Sequence, residues 1–355
     1  MNMNPRQLIF VREYRGYSQT ELSSHIVGLS QSNLSKFEKG IGSLSDEVKQ
    51  KVIDFLGFPE SFYDRIVSNN VENAHYRKRA GLLKKDKELI ERSNKLIGYI
   101  VDQMADSIEF PNFDLRMLNL EEGYTPESAA IFTRRFMGIK QGPVRDICAL
   151  LEQHGIVIVE KSYNLDGFDG VSFLTDKGIP VMIINKEFSN DRKRHTIAHE
   201  LGHIIMHIST DFAIPDYRGS EKTKEQEADN FASEFLMPKN EIQASLKGLK
   251  LSSLMPLKHF WLTSMASIVR RAWVLGGIDQ KKYTYFNIEL SRRGYKKHEP
   301  GQVYIDSPRN FILANRMFHE DLGYSDIDMA NAFCLPLDVI QTFCNTRPTL
   351  RIITK

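Results

Sequence analysis

The segment His199-Glu200-Leu201-Gly202-His203 constrains this chain more than any other stretch of it. Residues four apart on an α-helix lie on one face, so a helix here presents two imidazoles side by side. Glu200 is one position on from His199, rotated by about 100°, where it reaches a water on the ion instead of the ion itself. Two neutral imidazoles bind a divalent metal, the metal acidifies its water, and the carboxylate takes the proton. Ile197, Ile204 and Ile205 supply the apolar side of the helix, and Gly202 lets another element approach closely. His195 and His207 continue the four-residue spacing. The pair His203/His207 has Ile204 after its first member and so lacks a base. His207 is therefore read as a supporting or structural residue.

Two histidines leave a catalytic zinc short of its usual third protein ligand. The stretch Glu225-Gln226-Glu227-Ala228-Asp229 offers carboxylates on the next expected helix. Ala228, Phe231, Ala232, Phe235 and Leu236 recur at helical spacing and mark its buried face. Glu225 lies three residues before Ala228 and falls on that face, whereas Glu227 is turned away from Ala228 by about 100°. A carboxylate on a buried apolar face is costly without a cation to pair with. Glu225 is thus the expected third ligand, with Glu227 in reserve. Two histidines and a carboxylate suit Zn²⁺, and Mn²⁺ or Fe²⁺ as well.

The chain has 355 residues, a length for two or three domains. Its apolar content of 41% and charged content of 26% are those of a globular protein. A net charge of +2 announces neither a nucleic-acid nor a membrane partner, so any such role must come from a local surface. Cys148, Cys334 and Cys344 are too scattered for a disulfide framework or a cysteine zinc site. The N-terminal residues lack the apolar core of a signal peptide, and a reducing, cytoplasmic location is expected.

The first sixty residues read as helices. One covers Leu8 to Arg12 and ends near Arg15-Gly16. Ser18 with Glu21 forms a capping box, Gly28 turns the chain, and Ser30 caps a helix that Gly40 stops. A fourth runs from Asp46 to Leu56. A long helical stretch is expected from Lys87 to Glu109, ended by Pro111, behind a basic cluster at Arg77-Lys78-Arg79 and Lys84-Lys85. Helices over Pro126–Met137 and Val144–His154 follow. Short strands are expected at Gly155–Val159, Gly170–Leu174 and Val181–Ile184, then helices over Arg192–Ile208 and Glu221–Leu236. A loop with Pro215 and Gly219 separates the last two. The remainder is basic around Arg270-Arg271, Lys281-Lys282, Arg292-Arg293 and Lys296-Lys297.

Residues 192–207 and the segment Glu225 to Pro238 resemble the two signatures of the ImmA/IrrE family of metallopeptidases. The resemblance implies a small zincin domain, zinc on His199, His203 and Glu225, and Glu200 as the base. It also implies that one dedicated transcriptional repressor is the substrate. His195 departs from the family, which often has an aromatic residue there. Ser18 to Gly40 has the layout of a helix-turn-helix, with Leu22, Ile26, Leu29 and Leu34 as internal contacts. Residues 5–58 resemble the XRE and phage-repressor class. That implies a major-groove helix starting at Ser30. Gln31, Ser32, Asn33 and Ser35 are the candidate base readers, and Gln19 and Lys36 the candidate phosphate or base contacts. Glutamine and asparagine pair bidentately with adenine. A second, degenerate helix-turn-helix rhythm runs through Ser325 to Phe343, and a plain helical hairpin reads equally well there.

The expected fold is α+β and predominantly helical. An all-α helix-turn-helix domain (1–60) precedes a helical connector (61–140), a zincin-like domain with a small three-stranded sheet (141–245) and an extension (246–355). The expected function is a DNA-associated, site-specific zinc metalloendopeptidase that regulates transcription by cleaving a repressor. The alternative is a transcription regulator whose metal domain only senses or scaffolds. The expected partners are double-stranded operator DNA and the repressor, with a homodimer allowed and no membrane.

Overall fold

The computed structural model describes residues 3–65, 84–163, 168–208, 221–296 and 298–344. The basic cluster at Arg77-Lys78-Arg79, the turn at Gly167, Lys297 and the loop with Pro215, Tyr217 and Gly219 lie outside the described residues.

Five helices open the chain: α1 (Pro5–Tyr14), α2 (Gln19–His25), α3 (Gln31–Glu38), α4 (Asp46–Leu56) and α5 (Glu60–Asp64). Their starts follow local chemistry. Ser18 and Glu21 complete the capping box of α2, and Ser30 and Ser45 accept backbone N–H groups at the heads of α3 and α4. Gly28 and Gly40 both adopt the left-handed conformation that the turns require.

Helix α6 spans Lys84–Met104 and stops five residues before the expected end at Glu109. Lys177 Nζ donates to the Asp102 carbonyl at 2.7 Å, which a continuing helix would offer to the Asp106 N–H. That N–H turns to Gln103 O instead. Helices α7 (Pro126–Phe136) and α8 (Ile147–Gln153) follow. α8 starts later than Val144 because the Arg194 guanidinium binds the carbonyls of Val144 and Arg145 and holds them out of the helix.

The strands are β1 (Val157–Lys161), β2 (Gly170–Leu174) and β3 (Pro180–Asn185). β1 begins two residues later than expected, because Gly155 is used in the turn from α8. There it has φ +81° and lies against the backbone of Asn112 and Phe113, where no Cβ fits. The sheet order is β1-β3-β2, with β1 parallel and β2 antiparallel to the central strand. Two long helices come next, α9 (Asn190–Met206) and α10 (Glu221–Leu236).

The rest of the chain is helical: α11 (Lys239–Leu246), α12 (Leu254–Trp261), α13 (Met265–Val274), α14 (Gln280–Arg292), α15 (Asn310–Glu320), α16 (Asp326–Phe333) and α17 (Leu337–Phe343). The pair α16–α17 occupies the expected helix-turn-helix rhythm, with Ser325 and Asp328 as a capping box and Cys334 left-handed at the turn.

The sheet is a wall between two apolar cores. Side chains alternate along a strand, so Val157, Val159, Val171, Phe173, Val181 and Ile183 face one core while Ile158, Leu174, Met182 and Ile184 face the other. The first core holds the opening helices, α6 and the closing helices α15–α17. The second holds α7–α14. The opening and closing helices meet directly, since Arg15, the residue after α1, pairs with Asp338 on α17 at 2.5 Å; Tyr99 on α6 also donates to Phe333 O at 2.6 Å. Between the cores runs a strap at residues 299–310. Glu299 accepts from Lys258 Nζ and from the first backbone N–H of α13, and Asp306 accepts from two backbone N–H groups at the start of α8.

Arg194 is fully buried on α9 and reaches three backbone carbonyls, of Val144, Arg145 and Tyr304. Burial pulls its pKa down to about 10, so it stays protonated near neutrality. Arg194→Met leaves buried carbonyls without donors. The expected loss is about 2–4 kcal/mol, read from urea unfolding with an unchanged m-value. A loss under about 0.5 kcal/mol, the range of an ordinary surface substitution, refutes this account.

Candidate metal centre

The sheet and α10 enclose α9, so every residue from Thr196 to Met206 is buried. Gly202 makes the contact with α10 close. A Cβ there would lie 3.2 Å from three carbons of Phe231, tighter than side chains normally tolerate. This approach carries Glu225 to the two histidines.

His199 Nε2 and His203 Nε2 are 3.1 Å apart. Glu225 places Oε2 at 3.5 Å from the first and Oε1 at 3.4 Å from the second. One donor atom from each residue lies within 4.8 Å of the others. Each imidazole uses its Nδ1 elsewhere: that of His199 meets Asp229 Oδ1 at 3.0 Å, and that of His203 meets His207 Nδ1 at 2.9 Å. Glu225 Oε1 is buried and has no hydrogen-bond partner among the described residues. Two imidazole nitrogens and an unsatisfied carboxylate oxygen on one point fit a zinc-type cation.

Glu200 is buried beside this group and outside the converging set. Its Oε2 accepts from Ser172 Oγ of β2 at 2.7 Å. Gly170 makes room for it, since a Cβ there would meet Thr196 Cγ2 at 2.5 Å and Glu200 Oε1 at 3.4 Å. Glu227 turns to His207, whose Nε2 is 2.8 Å from its Oε2. Of the two carboxylates weighed from the sequence, Glu225 is the one brought to the imidazoles. His195 is half-buried one turn earlier, with its ring centre 6.4 Å from that of His199.

From the sequence alone Ser172 has no role, and Asp229 is only one of the carboxylates that the second helix offers. Asp229 carried a usable signal, because it lies four residues after Glu225 and so shares its helix face. Ser172 is the one polar side chain in Gly170-Val-Ser-Phe-Leu174, at a position alternating with Val171 and Phe173.

Burial alone would lower the pKa of His199, but hydrogen bonds to Asp229 and Glu225 outweigh it and raise it to about 9. Burial dominates at His203 and lowers it to about 4. Burial opposes ionisation of Glu225, yet the two imidazoles hold its pKa far below the carboxylate range. The metal-free centre therefore carries an imidazolium at His199, a neutral His203 and a carboxylate. A raised histidine pKa stabilises the fold fully below the unfolded value of 6.5, and that contribution is lost as pH rises through about 9. Metal binding must displace the same proton. Calorimetry of zinc binding at pH 7.5, in buffers of different ionisation enthalpy, should show release of roughly one proton. Release of none contradicts this charge state.

The candidate nucleic-acid residues lie on α2 and α3, whose apolar sides pack in the first core. Gln31, Ser32, Asn33 and Lys36 are exposed on α3, while Ser35 and Gln19 are half-buried. Gln31 Nε2 donates to Gln19 Oε1 at 2.9 Å, Gln19 Nε2 donates to Glu38 Oε2 at 2.6 Å, and the Arg12 guanidinium clamps Glu38. This chain of polar groups fixes the amide at the head of α3.

Residues 151–272 match the family model of the M78 peptidases, described as the IrrE N-terminal-like domain. The match runs from α8 through α13 and takes in the whole His-His-Glu centre, which supports the ImmA/IrrE resemblance for this part of the chain. Residues 1–150 lie outside it. No curated protein matches the chain. Among the described residues, no helix is long and apolar enough to cross a membrane.

Proposed function

We propose that this chain is a DNA-associated, site-specific zinc metalloendopeptidase that regulates transcription by cleaving a repressor protein. The observation that carries the reading is the convergence of His199, His203 and Glu225 with the Glu200 carboxylate buried alongside. Zinc bound there supplies Lewis acidity toward a water and a peptide carbonyl. Glu200 takes the proton from the attacking water and passes it to the leaving amine. Ser172 holds the carboxylate that does so, by donating to its Oε2. Asp229 holds His199 with Nε2 toward the ion. β2 is an edge strand of the sheet, and all five of its residues are buried. In this reading residues 1–60 form the DNA-binding domain, 61–140 connect it to a peptidase domain at 141–245, and 246–355 extend it.

Glu200 favours an enzyme over a metal domain that only senses or scaffolds, because holding an ion has no need of a second carboxylate placed for proton transfer. Glu200→Gln keeps the volume and the hydrogen bond to Ser172 but cannot take a proton. It should retain zinc and lose at least about 10²-fold in the rate of repressor cleavage, measured against wild type on candidate repressors. Equal behaviour of the two proteins in cleavage and in cells leaves the non-proteolytic regulator as the function.

The exposed polar head of α3 and its pinned Gln31 support the DNA-binding half of the reading. Gln31→Ala and Asn33→Ala should each weaken binding to the operator by about 1–3 kcal/mol. Fluorescence anisotropy at stated salt reads this, and an unchanged affinity in both variants refutes the assignment of α3 to the major groove.

A further inference from the structure

We propose that His207 and Glu227 are positioning residues that lock His203 in the tautomer able to bind a metal. The inference rests on the metal centre described above and deepens it. His207 is the residue that ends α9, its backbone N–H bonded to His203 O, and its side chain is buried. Its ring bridges two groups: Nδ1 lies 2.9 Å from His203 Nδ1, and Nε2 lies 2.8 Å from Glu227 Oε2 on α10.

The proton positions follow from donor and acceptor capacity. A carboxylate only accepts, so the proton between His207 and Glu227 sits on His207 Nε2. In a neutral ring the other nitrogen then carries a lone pair, so His207 Nδ1 is an acceptor. The nitrogen facing it, His203 Nδ1, must donate. That leaves the lone pair of His203 on Nε2, the atom that faces His199 and Glu225. Reversing any link puts a hydrogen on His203 Nε2 and closes the site to a cation. Once metal binding has displaced its extra proton, His199 is held the same way by one step, through Asp229. Helix α10 thus contributes the ligand Glu225 and both anchors, Glu227 and Asp229, within one and a half turns. The anchor for His203 is relayed through a second histidine because Glu227 meets His207 and not His203.

The test uses the full-length chain and zinc alone. Zinc affinity is measured by competition with a chromophoric chelator for wild type, His207→Leu, His207→Gln, Glu227→Leu and Glu227→Gln, with thermal unfolding as the check on folding. His207→Leu and Glu227→Leu should weaken zinc binding roughly 10–100-fold. His207→Gln offers an amide oxygen to His203 Nδ1–H, and Glu227→Gln offers one to His207 Nε2–H. Both should recover to within a few-fold of wild type. Nitrogen-15 NMR of histidine-labelled, metal-free wild type should show the proton of His203 on Nδ1 and that of His207 on Nε2. Leu and Gln variants that bind zinc equally well, or equally badly, overturn the proposal, as does a protonated Nε2 on neutral His203. If wild type binds no zinc, the metal-centre reading fails, and the tautomer pattern of the metal-free chain decides the positioning role by itself.

Discussion

The contact between α9 and α10 at Gly202 and Phe231 is the constraint on which the centre depends. A helix pair at ordinary separation would leave Glu225 short of two imidazoles that point toward α10. The missing side chain at 202 brings the helices to where the Phe231 ring carbons would touch any Cβ. From that approach the rest follows. Glu225 spans the two Nε2 atoms, Asp229 reaches the back of His199, and Glu227 reaches His207. Dispersion and apolar burial along the helix pair offset the cost of placing histidines and carboxylates where water is largely excluded.

The sheet gives that helix pair a fixed backing and joins it to the ends of the chain. Its three strands have both faces covered by apolar side chains of the two cores. One face meets α9, where Ser172 and Gly170 accommodate Glu200. The other meets the first core, in which α6 sits close enough that a Cβ on Gly98 would lie 2.7 Å from the Phe173 ring. Phe173 is the neighbour of Ser172 in β2. Helix α6 and the Glu200 carboxylate are therefore separated by one strand.

Helix starts were the most legible part of the fold. Ser18, Ser30 and Ser45 carry their capping chemistry within three residues of the chain, so no distant contact is needed to place α2, α3 and α4. Helix ends and the first strand were less legible. α6 stops where Lys177 captures a carbonyl, and α8 starts late because Arg194 captures two. Both side chains come from positions tens of residues away. The centre shows the same division. His199, Glu200 and His203 announce themselves by local spacing, and helix phase favoured Glu225 over Glu227, whereas Ser172 acts from a strand that nothing nearby in the chain links to Glu200.

By itself the sequence determined the chemistry on offer: two imidazoles and a carboxylate at helical spacing, a second helix rich in carboxylates, and a capped helical unit at the start. Periodicity and capping are local properties, which is why they survive without a structure. Only the tertiary structure decided that Asp229 meets His199 and Glu227 meets His207, since these carboxylates are chemically alike and differ in what α10 turns them toward. Only the tertiary structure joined residues 311–344 to the opening helices, through a core shared across the sheet. The segment His199-Glu200-Leu201-Gly202-His203 divides in the same way. Its histidines name the site, and its glycine, silent in the chemistry, decides whether the third ligand arrives.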